Sequence, residues 1–172
     1  MKLFLVGLPG SGKTTIGKDL SLILNIPFLD TDDIICEREN TSIEEIFKLK
    51  GEDYFREYEK KVLHELIHLP EFILSTGGGL PCFFDNMEVI NKSGISIFLN
   101  VPPSIICKRL WTTDNGNRPL LQGKTEEGLL DFLKLKHRER FPYYSQSKVI
   151  TNGDDLSAMK LIDELKIKNL LT

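Results

Sequence analysis

The sequence predicts an α/β fold built on a parallel sheet, and three observations carry that prediction. Short apolar runs of strand length alternate with segments of helical periodicity. The first run feeds a glycine-rich loop that opens a helix, as in a βαβ unit. The runs also end in polar or glycine clusters, and ligands of such sheets bind beyond the carboxyl ends of the strands.

Leu3-Phe4-Leu5-Val6 reads as the first strand, and Gly7-Leu8-Pro9-Gly10-Ser11-Gly12-Lys13-Thr14 directly after it matches the phosphate-loop pattern G-x-x-x-x-G-K-[ST]. Glycines let such a loop turn several backbone N–H groups toward phosphate oxygens, and the following helix presents the positive end of its dipole to the same anion. Lys13 supplies a mobile cation for the β- and γ-phosphates, and Thr14 a hydroxyl for Mg²⁺. The chain is thereby read as a nucleoside triphosphate binder, with Gly10, Ser11, Gly12, Lys13, Thr14 and Thr15 as the nucleotide-binding set.

The next helix carries Ile16, Leu20, Ile23 and Leu24, with Asn25 before Pro27 as its stop. Pro27-Phe28-Leu29 is the second strand, ending in Asp30-Thr31-Asp32-Asp33, and helices with Ile43, Ile46, Phe47 and then Tyr54, Phe55, Tyr58, Val62 follow. Phe72 to Ser75 is the third strand, stopping at Gly77-Gly78-Gly79. Ile95 to Leu99 is the fourth, ended by Pro102-Pro103, with Ser104 as the cap of a helix through Leu110. Val149-Ile150 is a short fifth candidate. The stretch 111–124 is polar, glycine-punctuated and short of helical periodicity. Lying between two helices inside the domain, it reads as a mobile lid.

At 172 residues and 41% hydrophobic content the chain suits one globular domain, 1–172. A net charge of −3 argues against electrostatic capture by nucleic acid or an anionic membrane, so an anionic ligand must meet a locally basic pocket. Cys36, Cys82 and Cys107 are odd in number and lack a Cys-x-x-Cys pair, which favours reduced thiols. With no signal peptide or membrane-length apolar run, a cytoplasmic monomer is expected.

Phosphoryl transfer asks a protein for positioning, charge neutralisation and exclusion of water. In an extended segment Asp30 and Asp32 point the same way, so one serves Mg²⁺-bound water and the other an acceptor hydroxyl, with helix capping as the structural alternative. Arg56 and Glu59 share a helix face, and a buried guanidinium requires a carboxylate or an anionic ligand. Arg140 lies in a basic helix end before Phe141-Pro142, where Lys136 and Arg138 are explained as a solvated terminus. Arg118, on the lid, is placed to swing onto phosphates at closure.

With these motifs together, in this order and approximate spacing, the chain resembles the shikimate kinase family over nearly its whole length. The residues that carry the likeness are the phosphate loop, Asp30-Thr31-Asp32, Phe55 to Glu59, Gly77 to Gly79, Arg118-Pro119-Leu120-Leu121 and Arg140 to Tyr144. The resemblance implies a nucleoside-monophosphate-kinase fold with a five-stranded parallel sheet, a substrate-binding helical insertion at about 31–60 and a lid. It implies transfer of the ATP γ-phosphate to the 3-hydroxyl of shikimate. It further implies that Asp32 holds the nucleophile, that Arg56 and Arg140 clamp the shikimate carboxylate, and that Gly77, Gly78 and Gly79 approach the ligand through backbone N–H, Gly78 most directly. Lys13 and Arg118 then stabilise the γ-phosphate, Asp30 reaches Mg²⁺ through water, Glu59 holds Arg56, and Arg109 stacks on adenine. The loop Thr151-Asn152-Gly153-Asp154 lacks the basic residue that some members place near adenine.

Other classes compete. His64-Glu65-Leu66-Ile67-His68 fits the zinc-protease pattern H-E-x-x-H, with Glu88 as a nominal third ligand, but its helix runs into Pro70 and a buried strand. A gluconate or adenylate kinase shares the phosphate loop, and an idle nucleotide-binding protein would not need the transfer residues.

Overall fold

The computed structural model describes residues 1–113, 125–153 and 156–171. The chain runs β1 (Lys2–Val6), α1 (Lys13–Leu24), β2 (Phe28–Asp30), α2 (Thr31–Glu39), α3 (Ile43–Leu66), β3 (Phe72–Ser75) and a 3₁₀ turn (Leu80–Cys82). It continues through α4 (Asn86–Ser93), β4 (Ile95–Asn100), α5 (Pro103–Thr113), α6 (Glu126–Tyr144), β5 (Val149–Asn152) and α7 (Ala158–Ile167). The strands form one five-stranded sheet in the order β2-β3-β1-β4-β5, with all four pairings parallel.

β1 is central, and Leu3 to Val6 are fully buried because both faces of the sheet are covered by helices. Leu3 and Leu5 point to one face, where they join Ile73, Ile97 and Leu99 under Ile16 and Leu20 of α1 and Leu161 and Leu165 of α7. Phe4 and Val6 point to the other. Phe4 meets Phe72 edge-on at 5.2 Å and packs with Val62 and Leu63 of α3, while Val6 and Phe98 lie under Ile106 and Leu110 of α5 and Leu129 and Leu133 of α6. β3 and β4 flank β1, and the connections from β1 to β2 and from β4 to β5 lead to opposite edges of the sheet. The carboxyl ends of these three strands therefore open on the crevice where such sheets bind ligands.

Several boundaries differ from the sequence expectation. Ile23 is 48% exposed, so the buried stripe of α1 is Ile16 and Leu20. Asn25 does end that helix, in the left-handed conformation that asparagine tolerates. α3 is one rod broken at Gly51 (φ 83°, ψ 170°). Ser104 is no cap, because α5 already begins at Pro103, whose missing N–H costs nothing in the first turn. α6 does not stop before Pro142 but continues to Tyr144. A proline in the last turn removes one hydrogen bond, and Ser145 N–H still donates to Phe141. No helix among the described residues is long and apolar enough to cross a membrane.

Candidate active site

The loop from β1 to α1 turns through Gly10 (φ 81°) and Gly12 (φ 97°), positive angles that a residue with a Cβ adopts only under strain. With α5 it forms a cleft of about 450 Å³ lined by Gly10, Ser11, Gly12, Lys13, Thr14 and Thr15, with Arg109 on its far wall. These are the nucleotide-binding residues read from the sequence, apart from Arg118, which lies outside the described residues together with most of the 111–124 stretch. Lys13 is buried, and its ammonium donates to the Gly7 and Leu8 carbonyls at 2.9 Å each. Burial pushes its pKa down to about 8, against the pull of Asp32 and Asp30.

Asp30 ends β2 and caps α2. One carboxylate oxygen accepts from the Asp32 N–H at 3.0 Å, and the other accepts from the Thr14 hydroxyl at 3.1 Å. The extended geometry expected across Asp30 to Asp32 is therefore replaced by a strand end followed by the first helical turn. Capping and a position facing the phosphate loop occur in the same residue. The Asp32 carboxyl is held above its ordinary range, first by burial and then by the Asp30 charge, with Lys13 opposing.

The glycine turn after β3 brings the remaining groups together. A Cβ on Gly77 would lie 2.6 Å from Asp32 Oδ1 and 2.7 Å from Glu59 Oε1. On Gly78 it would meet Arg140 Nη1 and the Pro9 ring, each at 2.8 Å, and on Gly79 the Arg56 guanidinium at 2.5 to 2.9 Å. Three successive residues without side chains thus let two guanidiniums, two carboxyls and the phosphate loop close around one turn. Arg56 reaches it from α3 and Arg140 from α6, 84 residues apart in sequence.

Arg56 is buried and gives one amino group to Glu59 and its Nε and Nη2 to Glu52, at 3.1 and 3.0 Å. Glu59 is 1% exposed. Burial raises its pKa to about 7 against the stabilising Arg56 charge, and its Oε1 has no hydrogen-bond partner. Arg140 has no carboxylate within 4.0 Å among the described residues, whereas its neighbour Lys136 pairs with Glu139 at 2.8 Å. A half-buried guanidinium beside an ion pair, with no carboxylate partner among the described residues, is arranged to receive an anion.

Some participants are visible only in three dimensions. Gly77 N–H is engaged by the buried Thr31 hydroxyl at 2.7 Å, which removes it as a donor to ligand. The Tyr144 hydroxyl donates to the Gly78 carbonyl, and burial of that phenol raises its pKa. Phe83 lies against Arg56. The only sequence signal for the first two was their place inside the Asp30 to Asp32 and Arg140 to Tyr144 motifs. His64 stays on α3, but His68 falls beyond the helix end and Glu65 is tied to Arg38 at 2.6 Å. Among the described residues no group of three His, Cys, Asp or Glu side chains could hold a metal.

Comparison with known proteins gives the arrangement its context. The family model "Shikimate kinase" matches residues 9–168. The chain belongs to the shikimate kinase family. It is 44% identical to the shikimate kinase of Bacteroides thetaiotaomicron over 91% of this chain and 89% of that protein. A crystal structure of shikimate kinase from the same organism superimposes with a TM-score of 0.92, at 41% identity, covering 96% of this chain and 98% of the other. The shikimate kinase of Acinetobacter baumannii, solved in complex with shikimate, gives 0.84 at 34% identity, with 99% and 95% covered. The reaction is transfer of the ATP γ-phosphate to the 3-hydroxyl of shikimate, a step of aromatic amino acid biosynthesis. Family membership decides against the gluconate, adenylate and protease alternatives.

Proposed function

We propose the following division of labour for that reaction, on the convergence of Asp32, Arg56, Glu59, Arg140 and Pro9 around Gly77 to Gly79. Arg56 and Arg140 clamp the shikimate carboxylate, since paired guanidiniums fix a carboxylate in position and in plane as one ammonium could not. Asp32 accepts hydrogen bonds from ring hydroxyls. Its raised pKa suits it to take the proton of the 3-hydroxyl as that oxygen bonds the γ-phosphorus and the bond to the departing ADP oxygen breaks. Lys13 stabilises charge on the transferring group, and Arg118 is assigned the same role on its sequence motif. Gly78 and Gly79, whose N–H groups donate to no described protein group, offer donors to the acceptor. Arg109 forms the adenine side of the cleft.

Thr14 and Asp30 are hard oxygen donors on adjoining elements and fit Mg²⁺, Thr14 directly and Asp30 through water. Bound there, the ion would neutralise charge on the ATP phosphates. The chain is read as one kinase unit, 1–172, with 31–60 as the acceptor-binding region and 111–124 as the lid. Three free thiols support a cytoplasmic location, and the unit is proposed to act as a monomer. The test is a coupled ADP-release assay with shikimate, gluconate and nucleoside monophosphates side by side. Turnover with shikimate alone supports the assignment, and equal turnover with gluconate overturns the carboxylate-and-ring pocket as its basis.

A further inference from the structure

Arg56 is held along its edge by Glu52 and Glu59, but edge contacts leave a planar group free to tilt about them. Its faces are also occupied. The Phe83 ring centroid is 4.3 Å from Cζ, nearer than Phe55 at 5.1 Å or Phe47 at 5.7 Å, and a Cβ on Gly79 would run into the same group. A guanidinium within about 6 Å of an aromatic centroid is attracted by the negative ring face, and the attraction grows when the pair is desolvated. Here the cation is 9% exposed.

The segment that delivers Phe83 is strained. The next residue, Phe84, has φ 54°, a genuine outlier for a bulky side chain, and its own ring is 50% exposed, with the Lys60 ammonium 4.7 Å from its centroid. The turn is pinned by Asn86, which is fully buried and donates from its side chain to the Leu80 carbonyl at 2.9 Å, while its N–H donates to Phe83. The bend sets Phe84 against a half-buried lysine and Phe83 against a buried guanidinium, and since a cation–π contact is stronger when desolvated, the Phe83 contact is the larger gain from the strained backbone.

The geometry points to Phe83 as a positioning residue for shikimate, one that stacks on the Arg56 guanidinium and fixes the plane in which it meets the carboxylate. The inference rests on Arg56 being the carboxylate clamp. It is distinct from simple packing, because leucine or methionine would fill the same space without a π face.

Steady-state kinetics on Phe83→Leu, Phe83→Met, Phe83→Tyr, Arg56→Gln and the Arg56→Gln/Phe83→Leu pair test it, with kcat/KM for shikimate read in the linear range and melting temperature read in parallel. Phe83→Leu and Phe83→Met are expected to raise the shikimate KM about tenfold, equivalent to about 1.4 kcal/mol, while kcat and the ATP KM stay within about twofold. Phe83→Tyr, which keeps the ring face, is expected within about twofold of the parent. In the Arg56→Gln background, Phe83→Leu is expected to add less than about twofold, since residues that act together are not additive. A tyrosine variant no better than leucine, equal losses for both substrates, or an undiminished leucine penalty without Arg56 would each overturn the proposal while leaving the clamp intact. An Arg56→Gln enzyme with unchanged kcat/KM for shikimate would instead remove the clamp, and the inference with it.

Discussion

Lys13 must carry charge in a place that opposes charge. Its pKa falls to about 8 on burial, while the unfolded chain keeps the ordinary lysine value of 10.5. Below pH 8 both states are protonated and the folded protein bears the full cost of the buried ammonium. Between about 8 and 10.5 the unfolded state binds more protons, so stability rises with pH across that window. Lys13→Met is therefore expected to abolish turnover yet melt several degrees higher at pH 7. Calorimetric scans at rising pH should show that gap closing toward pH 10, and a variant that melts lower at pH 7 would mean that the Gly7 and Leu8 hydrogen bonds outweigh desolvation. Arg118→Ala should lower kcat far more than it raises the shikimate KM, because a group that meets the phosphate in the transition state contributes little to acceptor binding. Unchanged kcat would remove it from the catalytic set. Lys13 and Thr14 were legible in the sequence from the spacing of the phosphate loop, and Asp32, Arg56 and Arg140 from the motifs that carry the family resemblance. Thr31, Tyr144 and Phe83 were not, because each acts on a backbone group or a side chain brought near only by folding.

Among the elements, the turn after β3 is the most constrained. Gly77 to Gly79 sit where any Cβ would collide with an active-site group, and at Gly79 the obstacle is the Arg56 guanidinium, held by Glu52, Glu59 and Phe83. Alanine there cannot displace backbone cheaply, so the guanidinium must move. Gly79→Ala is expected to cut kcat/KM for shikimate by at least about tenfold while the ATP KM is nearly unchanged, a loss of transition-state binding confined to the acceptor. Initial-rate measurements with each substrate varied in turn decide it, and a matching rise in both KM values would show that the turn supports the whole crevice instead. The sequence located this turn because β3 is read residue for residue from a short apolar run bounded by glycine. It misplaced the end of α6 for the opposite reason. Pro142 is a strong local stop signal, but packing of Tyr144 against Phe98 and its bond to Gly78 carry the helix one turn further. Local propensity was overridden by a tertiary contact that no window of neighbouring residues contains.

At the scale of the molecule, the strands of a parallel sheet deliver two ligand sites to one edge through different elements. The cleft proposed for the nucleotide is lined by the loop after β1, α1 and α5, and the groups proposed for the acceptor come from α2, α3, α6 and the turn after β3. Anything that binds only the folded state stabilises it by mass action, about 2.7 kcal/mol at a hundredfold excess over Kd, or roughly 5–10 °C for a domain of this size. Shikimate and Mg²⁺-ADP should therefore each raise the melting temperature, and a substitution on one set of elements should erase one shift and spare the other. Arg56→Ala is the informative case. Removing a buried cation from beside a carboxylate ordinarily leaves an uncompensated charge, but Glu59 already has a pKa near 7 and without its partner takes up a proton instead. At pH 6 the variant should accordingly remain folded, keep the full shift with Mg²⁺-ADP and show almost none with shikimate. Scanning fluorimetry with each ligand alone and with both together reads all three quantities. Loss of both shifts in a folded Arg56→Ala protein would mean that the guanidinium organises the crevice as a whole, and the separation of nucleotide and acceptor sites along the sheet edge would have to be abandoned.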